Sequence, residues 1–255
     1  MTTRFLEKFR GGQVVLGTMV MYVRTPGIVR MAAQSGLDFV LIDLQHSTLG
    51  LETVADMCEV ARACGIAALI RPSEVNQDSA NRLLDIGADG FMFHDVTSVD
   101  QIRDSVRAAK YAPDGSRGIS VGGPSSNYRP GAIDADLLRG ANERLFVIAQ
   151  IESAEGVANI DSILDGGTID AVEIGKQDLS IALGVPGQMS HPRMTEATDT
   201  VASACAARDV PLMTTVATLD AARRAVDTGY RIINWRNDKA ILLDSFATFV
   251  GATTR

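Results

Sequence analysis

The chain has 255 residues, 46% of them hydrophobic and 22% charged, and Lys+Arg 24 against Asp+Glu 31 leaves a formal net charge of −7. This balance carries enough apolar surface to offset the entropy of ordering, which excludes intrinsic disorder, and the length suits one large α/β domain over residues 1–255. An acidic chain with no basic run is a poor partner for nucleic acid or a membrane surface, no uncharged apolar stretch approaches the ~20 residues of a membrane helix, and residues 1–12 lack the apolar core of a signal peptide, so a cytoplasmic protein is expected.

Short apolar runs read as strands at 14–20, 38–44, 67–71, 90–94, 145–151, 171–175, 211–216 and 231–235. Helical spacing fills the intervals, as in Val54, Met57, Val60 and Ala61, or Ile102 and Val106 before Ala109. Gly36, Gly65, Gly87 and Gly229 each follow a helical pattern and precede a strand, as helix C-terminal glycines do. The strands are apolar almost throughout, which fits a parallel sheet covered on both faces. Eight such units point to a (β/α)8 barrel. An open doubly wound sheet is the rival, and the absence of GxGxxG after the first strand weakens its dinucleotide-binding form. Two stretches break the rhythm: 112–144, rich in Gly, Pro, Ser and Asn, and 182–194. Long interruptions of this kind are usually functional or mobile. Cys58, Cys64 and Cys205 lack CxxC spacing, so neither a disulfide framework nor a zinc site is expected; Cys58 and Cys64 read as buried thiols.

Barrel enzymes build their sites where strands end. Here the second strand leads to Asp43, Gln45 and His46; the third ends in Arg71; the fourth in His94-Asp95; the fifth in Gln150-Ile151-Glu152; the sixth leads to Gly175-Lys176-Gln177-Asp178; the seventh ends in Thr214-Thr215 and the eighth in Arg236-Asn237-Asp238. Polar groups from nearly every strand converge on one rim, the pattern of an enzyme. Glu152 and Asp178 are two carboxylates at neighbouring strand ends, a set that suits a hard divalent cation; the alternative is a pair of helix N-caps or loop ion pairs, and spacing alone does not decide between them. His46 follows Asp43 at i+3, so Asp43 is expected to orient the imidazole as a general base, the alternative being a loop-capping histidine. Arg71 suits a substrate carboxylate or enolate, or a structural salt bridge.

The ordered set Asp43-Leu44-Gln45-His46, Ile70-Arg71-Pro72, Leu84-Asp85-Ile86-Gly87-Ala88, the run from Tyr111 to Gly118, Gln150-Ile151-Glu152 and Gly175-Lys176-Gln177-Asp178-Leu179-Ser180 resembles the metal-dependent (class II) pyruvate aldolases of the HpcH/HpaI type, the 4-hydroxy-2-oxo-heptanedioate aldolase family, over about residues 14 to 240. The resemblance implies a (β/α)8 barrel that assembles as a homo-oligomer, a hexamer or trimer, with residues 241–255 as a helix exchanged between subunits. It implies reversible aldol cleavage of a 4-hydroxy-2-oxo acid to pyruvate, or a close 2-oxo acid, and an aldehyde. Glu152 and Asp178 would ligate Mg²⁺, Mn²⁺ or Co²⁺. Arg71 would contact the developing oxyanion, and His46, oriented by Asp43, would be the base, working through a water. The backbone of Gly175 and Gln177 would hold the pyruvate carboxylate. Asp85 would contact the aldehyde side in a neighbouring subunit's site.

Four departures from the family pattern are visible. Gln45 stands where relatives often have Glu, which keeps a hydrogen-bonding group near the metal water but removes a charge. Lys176-Gln177 replaces a Pro-Ala pair, and His94 and Glu173 replace Pro and an apolar residue. Met19 stands where some relatives place Trp beside the aldehyde pocket. Other chemistries on the same rim are oxaloacetate decarboxylation, a citrate-synthase-like condensation and an imine on Lys176. A barrel that binds a keto acid without turnover is a reading from a different class.

Overall fold

The computed structural model describes residues 4–126, 128, 133–166 and 169–254. Among the described residues the strands are β1 (Val15–Val20), β2 (Phe39–Asp43), β3 (Ala67–Arg71), β4 (Gly90–Phe93), β5 (Phe146–Ile151), β6 (Ala171–Ile174), β7 (Leu212–Val216) and β8 (Ile232–Asn237). Each pairs with the next in parallel, and β8 closes onto β1. The fold is therefore the expected (β/α)8 barrel, and the open sheet is excluded.

The helices in chain order are α1 (Arg4–Arg10), α2 (Gly27–Gln34), α3 (Leu51–Cys64), α4 (Gln77–Asp85), α5 (Val99–Ala109), α6 (Ala135–Arg144), α7 (Ala154–Ala158), α8 (Ile160–Asp165), α9 (Lys176–Ala182), α10 (Pro192–Ala207), α11 (Leu219–Asp227) and α12 (Asp238–Thr253). The four glycines expected at helix ends all take left-handed φ, between 73° and 105°. Of the two expected thiols, Cys58 is buried and Cys64 half-buried. The irregular stretch 112–144 ends in a helix, α6, whose N-cap Asp134 accepts a hydrogen bond from the Leu137 N–H at 2.8 Å. Residues 127 and 129–132 of that stretch lie outside the described residues.

A strand alternates its side chains, and this period of two places the site. Phe39 and Leu41, Ala67 and Leu69, Phe146 and Ile148 pack inside the barrel. Val40 and Ile42, Ala68 and Ile70, Val147 and Ala149 face the helices. Continuing the inward series by one step gives Asp43, Arg71 and Gln150; on β6 it runs from Ala171 to Glu173. The polar residues of the upper barrel are thus in phase with the apolar residues below them.

The lower end is sealed by α1. Phe5 meets Phe39 and Phe146 edge-on at 5.5 and 4.8 Å, and Phe9 meets Phe146 at 4.8 Å. Lys8 and Arg4 pair with buried Asp38 at 2.7 and 3.2 Å. Asp38, Asp89 and Asp170, each just before an even-numbered strand, accept the N–H groups of Leu16, Ala68 and Val147 from the preceding strand at 2.8–3.0 Å. The rim is therefore the open end.

At that rim one carboxylate joins the first and last units. Asp238 is 3% exposed and accepts N–H bonds from Tyr22, Val23 and Lys239 at 2.7–2.8 Å and from Met21 at 3.2 Å. Asp238→Asn keeps the shape, removes the charge and turns an NH₂ group toward N–H donors. Stability should fall by about 2–3 kcal/mol, read as a lower urea midpoint at unchanged slope. A loss below ~0.5 kcal/mol, the range of an ordinary surface change, would contradict this account.

Candidate active site

The rim encloses a cavity of about 550 Å³ whose wall includes His46, Arg71, Glu152 and Asp178 together with Gly175 and Gln177. Six of the ten site residues expected from sequence and resemblance thus share one space. Asp43 stands directly behind it, fully buried against Arg71. Gln45, His94 and Asp85 lie outside the wall.

Asp43 and Arg71 are register partners across β2 and β3. The pair is a two-pronged fork: Nε donates to Oδ1 at 2.8 Å and Nη2 to Oδ2 at 2.9 Å. The same carboxylate accepts the backbone N–H groups of Gln45 at 3.0 Å and His46 at 3.3 Å. This corrects the expected role of Asp43. It fixes the loop backbone that carries His46 and the plane of Arg71, and the His46 ring is not among its hydrogen-bond partners. His46 itself is exposed in the cavity wall.

Glu152 follows β5 and is 6% exposed. Its Oε1 accepts the N–H of Asp95, at 2.9 Å, and Asp95 takes a left-handed φ of 47° to present it. A Cβ on Gly175 would lie 2.5 Å from Glu152 Oε2, so only glycine leaves room for that carboxylate. The Gly175 N–H is taken by the Ile151 carbonyl at 2.9 Å. Gly175 therefore shapes the site by its missing side chain, which corrects the expectation that its backbone holds the pyruvate carboxylate.

Burial pushes Glu152 up to about 7, and Asp178 and Glu173 nearby push it further. Burial also pushes Glu173 up to about 7, against the hydrogen bond from Gln150 and the charge of Arg71. Glu152 and Asp178 are thus close enough to repel, and one Glu173 oxygen and one Gln150 oxygen are buried without a hydrogen-bond partner. A divalent cation relieves such repulsion, so the donor set fits one. Among the described residues no three His, Cys, Asp or Glu side chains form a metal cluster. Two carboxylates with water and substrate oxygens completing the shell is the arrangement Mg²⁺-type ions accept.

Gln45 Nε2 and His94 Nδ1 lie 3.2 Å apart, and neither residue lines the main cavity. His94 lines a neighbouring cavity of about 160 Å³ with Ser73, Glu74 and Gln101. Both were expected to touch substrate; the chain leaves β4 at Phe93 and carries His94 aside. Asp85 ends α4 and pairs with Arg117 at 2.8 Å. Gln150 and Glu173, given no role from sequence, face the cavity, and the inward series of β5 and β6 was the signal that marks them. Met189 reaches the wall from the 182–194 interruption.

Comparison with known proteins assigns the chemistry to a class, that of aldehyde-lyases acting by pyruvate aldol cleavage. The chain belongs to the HpcH/HpaI aldolase/citrate lyase family, whose model matches residues 19–244. A 2-keto-3-deoxy-L-rhamnonate aldolase of Escherichia coli O17:K52:H18 is 32% identical over 200 residues, 78% of this chain and 74% of the relative. The crystal structure of an HpcH/HpaI aldolase from Desulfitobacterium hafniense DCB-2 superposes with a TM-score of 0.93 at 34% identity, covering 99% of this chain and 96% of the other. A citrate synthase, SbnG, shares the barrel at a TM-score of 0.87 and 24% identity over 98% and 97% of the two chains, a likeness of fold alone.

Proposed function

We propose that this chain catalyses the reversible aldol cleavage of a 4-hydroxy-2-oxo acid to pyruvate, or a close 2-oxo acid, and an aldehyde, with Arg71, His46, Glu152 and Asp178 carrying the reaction. The observation that supports this most is their convergence on one cavity, with Arg71 held rigid by Asp43 from behind. Glu152 and Asp178 would hold the divalent cation, Mg²⁺ or Mn²⁺ with Co²⁺ as a substitute, which when bound supplies Lewis-acid stabilisation of the enolate.

Asp43 uses two of the five guanidinium N–H donors of Arg71, which leaves three for substrate oxygen. Those bonds strengthen as negative charge gathers on the 2-oxo oxygen, which is where catalysis needs them. His46 takes the proton of the 4-hydroxyl as the C3–C4 bond breaks; the bonding pair passes into the enolate, and a proton returned to C3 completes pyruvate. The backbone of Gln177, in the first turn of α9, binds the carboxylate. His94 acts only through Gln45, on the position of the β2–α3 loop.

The protein works in the cytoplasm as one barrel domain over 1–255 in a homo-oligomer, a hexamer or trimer. Leu243, Phe246 and Phe249 of α12 are exposed by 60–69%, which supports an exchanged C-terminal segment at 241–255. Asp85 contacts the aldehyde in a neighbouring subunit's site, a reading supported by the resemblance alone. Among the described residues no helix is long and apolar enough to cross a membrane.

The test pairs two assays. Pyruvate with a panel of aldehydes should yield 4-hydroxy-2-oxo acids, and the enzyme should exchange the pyruvate methyl protons with D₂O. His46→Ala should depress both, by roughly 100-fold or more, as removal of a general base does. Decarboxylation of oxaloacetate with no aldol product from any aldehyde would replace this reading with the decarboxylase. Saturable 2-oxo acid binding without any turnover would replace it with the binding barrel.

A further inference from the structure

The end of β8 departs from the regular barrel. Between the pairs Gly17↔Asn234 and Met19↔Asn237, β8 has three steps where β1 has two, a bulge at Trp235 and Arg236. Side chains pin both bulge carbonyls: Thr18 Oγ1 donates to Trp235 at 2.7 Å, and Asn234 Nδ2 donates to Arg236 at 3.0 Å. Arg236 has a φ of 48°, in the left-handed region where glycine is unstrained and a long side chain is not. Bulges beside active sites re-aim side chains. This one places Arg236 in the cavity wall with Met189, Ala217 and Ala240.

The charges around the cavity leave Arg236 a distinct position. Arg71 is matched by Asp43, and Lys176 acts on Glu173. The partner of Arg236 is Asp244 on α12, at 3.0 Å, whose side chain is 63% exposed and which is not part of the wall. A carboxylate this exposed is screened by solvent and holds its arginine weakly. Among the described residues the guanidinium uses one of its five donors there, leaving four. Around the ring, β8 is two strands from β6 and three from β5, away from the carboxylate pair that serves the 2-oxo acid.

We propose that Arg236 is a specificity-determining residue that binds an anionic group, a carboxylate or a phosphate, on the aldehyde half of the substrate. This rests on the aldolase reading above. The strain at Arg236 has a physical reason on this account: glycine would relax the bulge but would leave no cation in the wall.

The experiment uses the full-length enzyme with its divalent cation. It measures kcat/KM for pyruvate addition to aldehydes of matched length ending in a carboxylate, a phosphate or a neutral amide. The wild type should prefer an anionic aldehyde, and the better of the two names the group. Arg236→Gly should lower the anionic-to-neutral ratio by roughly 10- to 100-fold, the scale of a lost charge-assisted hydrogen bond, while its melting temperature holds or rises. Arg236→Lys should recover part of the ratio, and Asp244→Asn should preserve or increase it. A lower melting temperature for Arg236→Gly with an unchanged ratio would overturn the proposal, because the arginine then serves only the fold. An equal loss for all aldehydes and for pyruvate deuterium exchange would overturn it too, by assigning Arg236 to the pyruvate half. If the wild type adds pyruvate to no aldehyde, the aldolase reading itself fails, a result distinct from both.

Discussion

Arg71→Lys should lower kcat by about 100-fold, the scale of losing one oxyanion donor, and pyruvate proton exchange should fall in parallel. Both reactions pass through the enolate, so a residue that stabilises it must act on both. Lysine keeps the positive charge but has no planar fork. It reaches one Asp43 oxygen at best, or turns to the substrate and leaves Asp43 alone. Truncation to alanine is a poorer test, since breaking a buried ion pair costs about 3–5 kcal/mol and loss of fold would mimic loss of catalysis. Asp43→Asn gives the complementary measurement. Asp43 touches no part of the cavity, so it acts as a positioning residue, and its loss should fall on kcat with KM little changed. Exchange that survives Arg71→Lys while aldol cleavage drops would move Arg71 to the aldehyde side.

Removal of divalent cations with EDTA should abolish turnover, and Mg²⁺ or Mn²⁺ should restore it. Glu152→Gln separates the cation from the fold. Glutamine still accepts the Asp95 N–H but brings no charge, so Mn²⁺ affinity should fall roughly 100-fold, in line with dependence on ligand charge. Mn²⁺ should raise the melting temperature of the wild type and not that of the variant, because only a bound ion stabilises the folded state. The metal-free proteins should differ in the opposite sense. Burial, Asp178 and Glu173 hold the Glu152 pKa up at about 7, above its ordinary value, so the folded state binds the proton more tightly than the unfolded one. Its stabilising share is complete below the unfolded pKa and is lost as pH rises through about 7. At pH 8 the metal-free Glu152→Gln protein should therefore melt no lower than the metal-free wild type. Full activity after exhaustive chelation would sink the metal mechanism and direct attention to an imine on Lys176.

Much of this was readable from the sequence because a barrel strand is covered on both faces. The stretches 39–42 and 67–70 are apolar throughout, and the first polar residue after each, Asp43 or Arg71, marks the rim. Arg71 and Glu152 were found that way. The partner of Asp43 was not, because sequence proximity favoured His46 at i+3 while the β2–β3 register sets Asp43 opposite Arg71. His94 was misplaced for a related reason. It sits at a strand end by position, but β4 stops at Phe93 and the path of the next residue is a loop property. α6 was hidden because glycine, proline and serine dominate the stretch before it. Arg236 was visible as a rim residue, but the bulge that turns it into the wall depends on pairing with β1, which no local pattern reports.

The packed interior of the barrel has a kinetic consequence. A passage open at both ends would let two products depart independently. Leu41, Leu69, Met92, Phe146 and Ile148 fill the interior above the phenylalanines of α1, so the cavity is a blind chamber with one mouth. Both fragments of a cleaved substrate share that exit, and the one anchored deeper must wait for the other. On the proposed aldolase reading, the 2-oxo acid held by Arg71 and the carboxylate pair would be the deeper fragment. Departure would then be ordered, aldehyde first, and in the synthetic direction pyruvate would enter first, an order that product-inhibition kinetics would read.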